Sequence, residues 1–243
     1  MNLLALNNDG IDYQYLLFND NGDPTILDDV KEFINDKVEY IYSKKNWGER
    51  QFSGGWIGAL PFVKGELIHN TSQDDVMGTT FYKRSIDIFK NNPDIDLVTY
   101  NGFKVKENLE LEALLIHPQY RMDGNNPLEV FKNWFGVENN IVTRCNNGFL
   151  AAGTIYRKSL HDKIGIPDAQ FAGACDFEMW ARILFNEHKF VYISEPNWLY
   201  RMSEYSAGNE IINGLPNRGH WQQLCIEKIK EKYTKLWNEK YGK

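Results

Sequence analysis

The chain has 243 residues, of which 42% are hydrophobic and 14% aromatic, and this composition is typical of a folded globular protein of one large domain. The net charge of −6, without any basic run, argues against a nucleic-acid partner. No apolar stretch approaches the roughly 20 residues of a membrane span, and the N-terminus does not resemble a signal peptide. Three widely spaced cysteines favour a reducing compartment. We therefore expect a cytoplasmic protein, with peripheral membrane contact as an alternative.

Strands and helices alternate along the first half of the chain, which favours an α/β fold with a mainly parallel, mixed sheet flanked by helices. The loop after the first predicted strand is rich in turn-forming residues, and Thr25 with Asp28 predicts a capping pair for the following helix. The segment 103–126 is less regular. In chain order, strands are predicted at 15–18, 38–42, 66–70, 96–100, 148–156 and 190–193, and helices at 25–35, 54–62, 79–89, 127–135, 175–186 and 221–237.

The last of these helices is rich in Lys and Glu and carries an apolar residue at every fourth position, namely Trp221, Cys225, Ile229, Tyr233 and Trp237. Such a stripe usually packs on its own domain, and an interfacial or partner-binding role is the alternative. We place a boundary before this helix, so that residues 1–216 form the main domain and residues 217–243 form a C-terminal amphipathic helix packed on it or extending from it.

Two adjacent carboxylates, Asp74 and Asp75, follow the strand predicted at 66–70. In open α/β sheets, ligands bind at the carboxyl ends of the strands. Mg²⁺ or Mn²⁺ carrying a diphosphate needs only one or two protein carboxylates, because phosphate oxygens and water fill the remaining positions. The alternative is turn or N-cap chemistry, in which Asp75 caps a segment that starts at Val76.

Four sequence features occur in an order that is typical of one enzyme family. They are a strand ending in Asn19-Asp20-Asn21-Gly22-Asp23, then Asn46-Trp47-Gly48, then a strand ending in Ser72-Gln73-Asp74-Asp75, and finally Cys175-Asp176-Phe177-Glu178-Met179-Trp180-Ala181-Arg182 with Tyr200-Arg201 downstream. This order, with the segment 156–165 before the acidic helix, resembles the family-2 inverting glycosyltransferases of the GT-A fold. The resemblance extends to about Gly208. It implies a Rossmann-like GT-A fold and a hexosyltransferase-like activity with a nucleotide-diphosphate sugar donor, a UDP-sugar being favoured.

The resemblance implies a donor site at the ends of the strands. Asp20 is the candidate for contact with the nucleobase, and a turn-forming role is its alternative. Asp74 and Asp75 are implied to hold the ribose and a Mn²⁺ or Mg²⁺ ion, although Ser72 stands where the longer form of the motif has a further acid. Arg50 is a candidate for contact with the diphosphate.

The resemblance also implies that Asp176 is the catalytic base, although Cys175 replaces the Glu that commonly precedes it. A base that accepts the proton of the acceptor hydroxyl gives displacement with inversion, while the metal ion neutralises the leaving group. The alternative is that Asp176 only caps its helix.

Arg201 is implied to lie near the leaving group or to brace the acceptor loop, and a structural ion pair is its alternative. Trp180, with Trp134 and Phe135, is a candidate for stacking on a sugar ring, and core packing is the alternative. The segment 103–142 is expected to form the acceptor and lid region, where loops carry specificity. The acceptor class stays open among glycans, lipids and small molecules, and the processive Q-x-x-R-W signature is absent from the sequence.

The chain departs from this family at its N-terminus. Family members begin with a strand and a long helix before the strand found here at 15–18, and Met1–Leu6 looks like the end of that helix. Three explanations stay open: the chain is a fragment, Met1–Leu6 replaces the strand, or a second copy of the chain completes the sheet. The rival hypothesis for function is a non-catalytic nucleotide- or glycan-binding subunit on a GT-A scaffold.

Overall fold

The computed structural model describes residues 6, 10–45, 52–72, 74–115, 126–144, 151–202, 211–212 and 215–242. The α-helices within these residues are α1 (Ile26–Val30), α2 (Phe52–Ala59), α3 (Phe81–Asn91), α4 (Pro127–Phe135), α5 (Leu160–Ile164), α6 (Cys175–Phe185) and α7 (Asn217–Tyr241). The strands are β1 (Tyr15–Asn19), β2 (Val38–Tyr42), β3 (Leu67–His69), β4 (Val76–Met77), β5 (Leu97–Tyr100), β6 (Gly102–Val105), β7 (Leu111–Leu115), β8 (Val137–Glu138), β9 (Ile141–Val142), β10 (Thr154–Arg157), β11 (Phe190–Ile193), β12 (Trp198–Arg201), β13 (Ile211–Ile212) and β14 (Leu215–Pro216).

The central sheet has the strand order β11-β5-β10-β3. Strand β5 is parallel to β11, whereas β10 is antiparallel to both β5 and β3, so three of the four strands point in one direction. Every residue of β5 is buried, as expected for a strand covered on both faces. The predicted α/β class with a mixed sheet and flanking helices is confirmed.

A second sheet has the order β4-β12-β6-β7 and is joined to the central sheet by Trp198 of β12. The Trp198 indole lies directly against the Cα atoms of Gly102 and Gly153, and a Cβ atom at either glycine would overlap its ring. Its Nε1–H donates to the backbone oxygen of Tyr100 at 3.2 Å. Strands β1 and β2 form a parallel two-stranded sheet.

The C-terminal helix α7 packs on α4 and α6 through its apolar stripe. Ile229, Tyr233 and Trp237 are 0%, 1% and 6% exposed, and the Trp237 ring stacks on Phe131 with ring centroids 5.9 Å apart. Packing of this stripe on the chain's own core is confirmed for these three residues, whereas the side chains of Trp221 and Cys225 lie outside the described part. The division into two domains stays a prediction. No helix in the described residues is both long enough and apolar enough to cross a bilayer.

The helix predicted at 25–35 is shorter in the structure, and its predicted capping pair is wrong. Thr25 makes no side-chain cap; instead its N–H and Oγ1–H both donate to Asp23 Oδ1, at 2.8 and 2.7 Å. At the other end, Asn35 Oδ1 accepts the N–H groups of Lys37 and Val38 and turns the chain into β2. Local Asp and Asn side chains therefore set both ends of this connection.

The segment predicted to be less regular contains the hairpin β6–β7. An ion pair connects its two strands, with Lys104 Nζ 2.9 Å from Glu112, and a second pair spans the turn between them, with Lys106 Nζ 3.1 Å from Glu110. Most of β7 is exposed on both faces, and Leu111 is 61% exposed, so the sequence lacks the alternation of apolar and polar residues that reveals a half-buried strand.

Candidate functional site

Asp74 and Asp75 lie in the short connection between β3, the outermost strand of the described central sheet, and β4, which begins immediately after Asp75. Asp74 is partly exposed, whereas Asp75 is only 4% exposed. The proposed N-cap role of Asp75 is wrong, because Val76 begins a strand and the next helix, α3, starts at Phe81 with Thr80 as its N-cap residue. The acid pair therefore does not serve to start a helix.

Burial and the neighbouring charge of Asp74 raise the pKa of Asp75 to about 7. The backbone N–H groups of Arg201 and Ser72 and the charge of Arg201 act in the opposite direction on this pKa, but they do not compensate fully. A buried acid beside a second acid fits a divalent cation, because a cation would stabilise both ionised carboxylates. No group of three or more His, Cys, Asp or Glu side chains suited to a metal occurs in the described part of the chain. A metal held here would complete its coordination with phosphate oxygens and water.

Arg201 comes to the acid pair through the pairing of β12 with β4. In this antiparallel pair Trp198 lies opposite Met77 and Leu199 lies opposite Val76, so the end of β12 runs past Asp75. The Nε atom of Arg201 is buried and has no hydrogen-bond partner among the described residues. The positive charge of Arg201 acts on Asp75 and favours its ionised form.

Gly78 allows the close approach of these two strands. Its N–H donates to the backbone oxygen of Asn197 at 2.8 Å, and a Cβ atom at Gly78 would overlap the Asn197 side chain. This contact holds the end of β4 against the residue that precedes β12, and thus helps to set where Asp75 sits relative to Arg201.

His69 fixes the end of the strand from which the acids emerge, a role that the sequence did not reveal. Its Nε2 lies 2.8 Å from the backbone oxygen of Ala152, and its Nδ1 lies 3.2 Å from the hydroxyl of Tyr82. Burial lowers the pKa of His69 to about 4, so the ring is neutral near pH 7, with Nε2–H donating to Ala152 and Nδ1 accepting from Tyr82. In the sequence, the signal for this role is that His69 is a polar residue inside an apolar strand.

Asp176 lies in the first turn of α6 but is not its N-cap residue, which is Ala174. Asp176 Oδ1 accepts the N–H of Phe177 at 2.8 Å. Burial raises the pKa of Asp176 to about 6, while the N–H groups of Phe177 and of Asp176 itself act to lower it. A carboxylate with this pKa is ionised at neutral pH and is a stronger base than an ordinary Asp. Its neighbour Cys175 is buried, with 3% exposure.

The predicted sugar contact of Trp180 is wrong in this structure. Trp180 is 1% exposed and packs against Trp56, with ring centroids 6.2 Å apart. Trp56 Nε1–H in turn donates to the hydroxyl of Tyr156 at 3.0 Å. Trp134 and Phe135 are also fully buried. These rings have no face open to a sugar, so core packing is their role.

Asp20 directly follows β1 and is partly exposed. The turn there is built by Asn19, whose Oδ1 accepts the N–H of Gly22 at 2.7 Å and whose Nδ2 donates to the Tyr40 hydroxyl at 2.9 Å. Arg50 lies outside the described residues. The structure thus brings Asp74, Asp75 and Arg201 together, and the relation of Asp20 and Asp176 to this group stays a prediction.

No protein-family model matches the chain, and no curated protein matches it in sequence. Solved structures of the glycosyltransferase TarS from S. aureus share its fold. TarS 1–349 in complex with UDP-GlcNAc has a TM-score of 0.61 at 13% identity, over 86% of this chain and 56% of that one. The complex of TarS 1–349 with UDP has a TM-score of 0.55 at 12% identity, over 92% of this chain and 64% of that one.

The fold is GT-A-like. TarS 1–349 alone gives a TM-score of 0.59 at 14% identity, again with 64% of its length covered, so the chain spans less than two thirds of these relatives. The predicted GT-A-like fold is confirmed. Membership of family 2 and the loss of the first strand stay predictions.

Proposed function

We propose that the chain is a metal-dependent, inverting and non-processive glycosyltransferase that moves a sugar from a nucleotide-diphosphate donor to a hydroxyl acceptor. The observation that carries this proposal is the buried Asp75 beside Asp74 and Arg201, in the connection between β3 and β4 of a GT-A-like fold. TarS binds UDP-GlcNAc and UDP in its solved structures, which makes a uridine nucleotide the first donor to test. The acceptor is a glycan, a lipid or a small molecule.

Asp74 and Asp75 would hold the Mn²⁺ or Mg²⁺ ion, which when bound neutralises the diphosphate as a Lewis acid. Arg201 adds a further positive charge beside Asp75, and this charge favours the binding of a phosphate-bearing donor. The backbone N–H groups of Arg201 and Ser72 favour the ionised form of the Asp75 carboxylate. We keep Asp20 and Arg50 as donor-binding candidates.

Asp176 accepts the proton of the acceptor hydroxyl as the sugar is transferred. Its Oδ1 is engaged by the N–H of Phe177, so we assign the proton to Oδ2. Partial burial keeps the carboxylate poorly solvated, while its place in the first turn of α6 favours the charged form. General base catalysis of this kind contributes about 10²- to 10⁴-fold to the rate.

A thermal-shift experiment with UDP, GDP and dTDP, each with and without Mn²⁺, tests this function. A ligand at 100 times its Kd stabilises by about 2.7 kcal/mol, which raises the Tm of a chain of this size by about 5–10 °C. We expect one nucleotide to give such a shift only with the metal. If no nucleotide changes the Tm under either condition, the proposal is wrong.

Transfer assays separate an enzyme from a non-catalytic binding subunit. We expect Asp75→Ala to lose both the metal-dependent shift and donor turnover, and Asp176→Asn to lose turnover but keep the shift. Asp87→Asn is the matched control, because Asp87 is exposed and pairs with Lys83 on the surface of α3. Nucleotide binding without any turnover of UDP-, GDP- or dTDP-sugars by the unaltered protein would favour the binding subunit.

A further inference from the structure

Glu178 lies two residues after Asp176 on α6, and it is fully buried. Its carboxylate accepts hydrogen bonds from Arg182 Nη2 at 2.9 Å, from Lys232 Nζ at 2.6 Å and from the Tyr233 hydroxyl at 3.1 Å. A buried carboxylate is costly unless it is paired and hydrogen-bonded, and these donors compensate that cost. Two of the three donors belong to the C-terminal helix α7, so Glu178 joins α6 to α7.

Lys232 contacts the chain on both sides of Asp176. Besides its bond to Glu178, its Nζ lies 5.1 Å from the ring centroid of Phe171, in the 3-10 segment that immediately precedes α6. The Lys232 side chain is 32% exposed and therefore reaches inward from the surface. The Lys232 ammonium group thus contacts Phe171, five residues before Asp176, and Glu178, two residues after it.

The geometry of a helix makes this network a control on the position of Asp176. Residues two apart on an α-helix are separated by about 200°, so Asp176 and Glu178 lie on nearly opposite sides of α6. A carboxylate about 5–6 Å from the helix axis moves by about 1 Å when the helix rotates by 10°. A misplacement of 1 Å can cost about 10²-fold in rate.

We propose that Glu178 and Lys232 are positioning residues whose pairing fixes the rotation of α6 and so places the Asp176 carboxylate against the acceptor hydroxyl. This inference rests on the proposed function, in which Asp176 is the base. Apolar residues of similar volume would stabilise the same contact between α6 and α7 at least as well. The directional hydrogen bonds that Glu178 accepts from three donors define one rotational position of α6, which apolar packing would not do.

The test is Lys232→Met, which removes the charge and keeps the length of the side chain. We expect kcat for sugar transfer to fall by about 10- to 100-fold while the donor KM stays unchanged, at a temperature at least 15 °C below the Tm of the variant. Lys232→Arg should recover most of the lost kcat, because it restores a cation to Glu178. Lys235→Met is the matched control on the same helix, since Lys235 is 76% exposed, and it should keep the normal kcat.

Tyr233→Phe gives a second, milder perturbation that serves if Lys232→Met does not fold. It removes only the hydroxyl bonded to Glu178 and keeps the buried ring, and we expect kcat to fall by about 3- to 10-fold with the donor KM unchanged. An unchanged kcat in the folded variants, or a rise in donor KM that accounts for the whole loss, would overturn the inference alone. If the unaltered protein transfers no sugar, the proposed function fails and this inference fails with it.

Discussion

Replacing Asp176 by Asn should stabilise the protein at neutral pH while it greatly slows transfer. Burial holds the pKa of Asp176 at about 6, compared with an ordinary value of 3.8. Each pKa unit corresponds to 1.36 kcal/mol, so ionising Asp176 in the folded state costs about 2–3 kcal/mol of stability. Asn carries no charge, and its Oδ1 can still accept the N–H of Phe177.

The sign of this effect follows from the protons bound in each state. Between pH 3.8 and about 6, the unfolded chain loses the Asp176 proton while the folded chain keeps it, so stability falls as the pH rises through this window. Below pH 3.8 Asp176 is protonated in both the folded and the unfolded state, so the free-energy cost of ionising it disappears. The advantage of Asp176→Asn should therefore be absent near pH 3.5 and complete above pH 7.

Urea unfolding of the donor-free protein, followed by tryptophan fluorescence at pH 3.5 and pH 8, measures the difference. At pH 8 we expect Asp176→Asn to gain about 2–3 kcal/mol, or about 5–10 °C in Tm, and to lose transfer by about 10²- to 10⁴-fold. Asp162→Asn, an exposed acid on α5, should show neither change. A stability difference that is equal at both pH values, or a loss of stability at pH 8, would refute the reasoning.

Three further predictions concern the base, His69 and Gly78. Transfer should rise about tenfold per pH unit up to about pH 6 and then level off, and the residual rate of Asp176→Asn should lack this limb in a pH profile of kcat. Because the folded state keeps His69 neutral down to about pH 4, stability should fall by up to ~3 kcal/mol as the pH drops from 6.5 to 4, and His69→Gln should flatten this dependence in urea titrations. Gly78→Ala should destabilise by about 1–3 kcal/mol and weaken UDP–Mn²⁺ binding by calorimetry, because its Cβ would overlap Asn197, whereas Gly55→Ala meets open space and should not.

The elements with strong local signals were predictable from the sequence. Helix α4 has its predicted bounds because Asn126 accepts the N–H groups of Leu128 and Glu129, Pro127 fits the first turn, and Gly136 ends the helix at a φ of 57°. Strands β2 and β11 also have their predicted bounds. The acid pair was found because it comes shortly after an apolar strand, the one predicted at 66–70.

What the sequence did not reveal depends on contacts between distant segments. Glu178 and Lys232 are 54 residues apart, and nothing in either local pattern indicates that they meet. The burial of Trp180 follows from the rotation of α6 against Trp56, which the spacing of aromatic residues does not determine. The approach of Arg201 to Asp75 requires the pairing of β12 with β4, and these strands are too short to be recognised in isolation.

The burial of Cys175 beside the proposed base has a practical consequence. A thiol that is 3% exposed cannot react with an alkylating reagent until the start of α6 opens. The rate of modification of the peptide that contains Cys175, read by mass spectrometry, therefore reports how often the neighbourhood of Asp176 exchanges with an open state. The Cys175 thiol is thus a natural probe of local unfolding at the start of α6, next to the residue that we propose as the catalytic base.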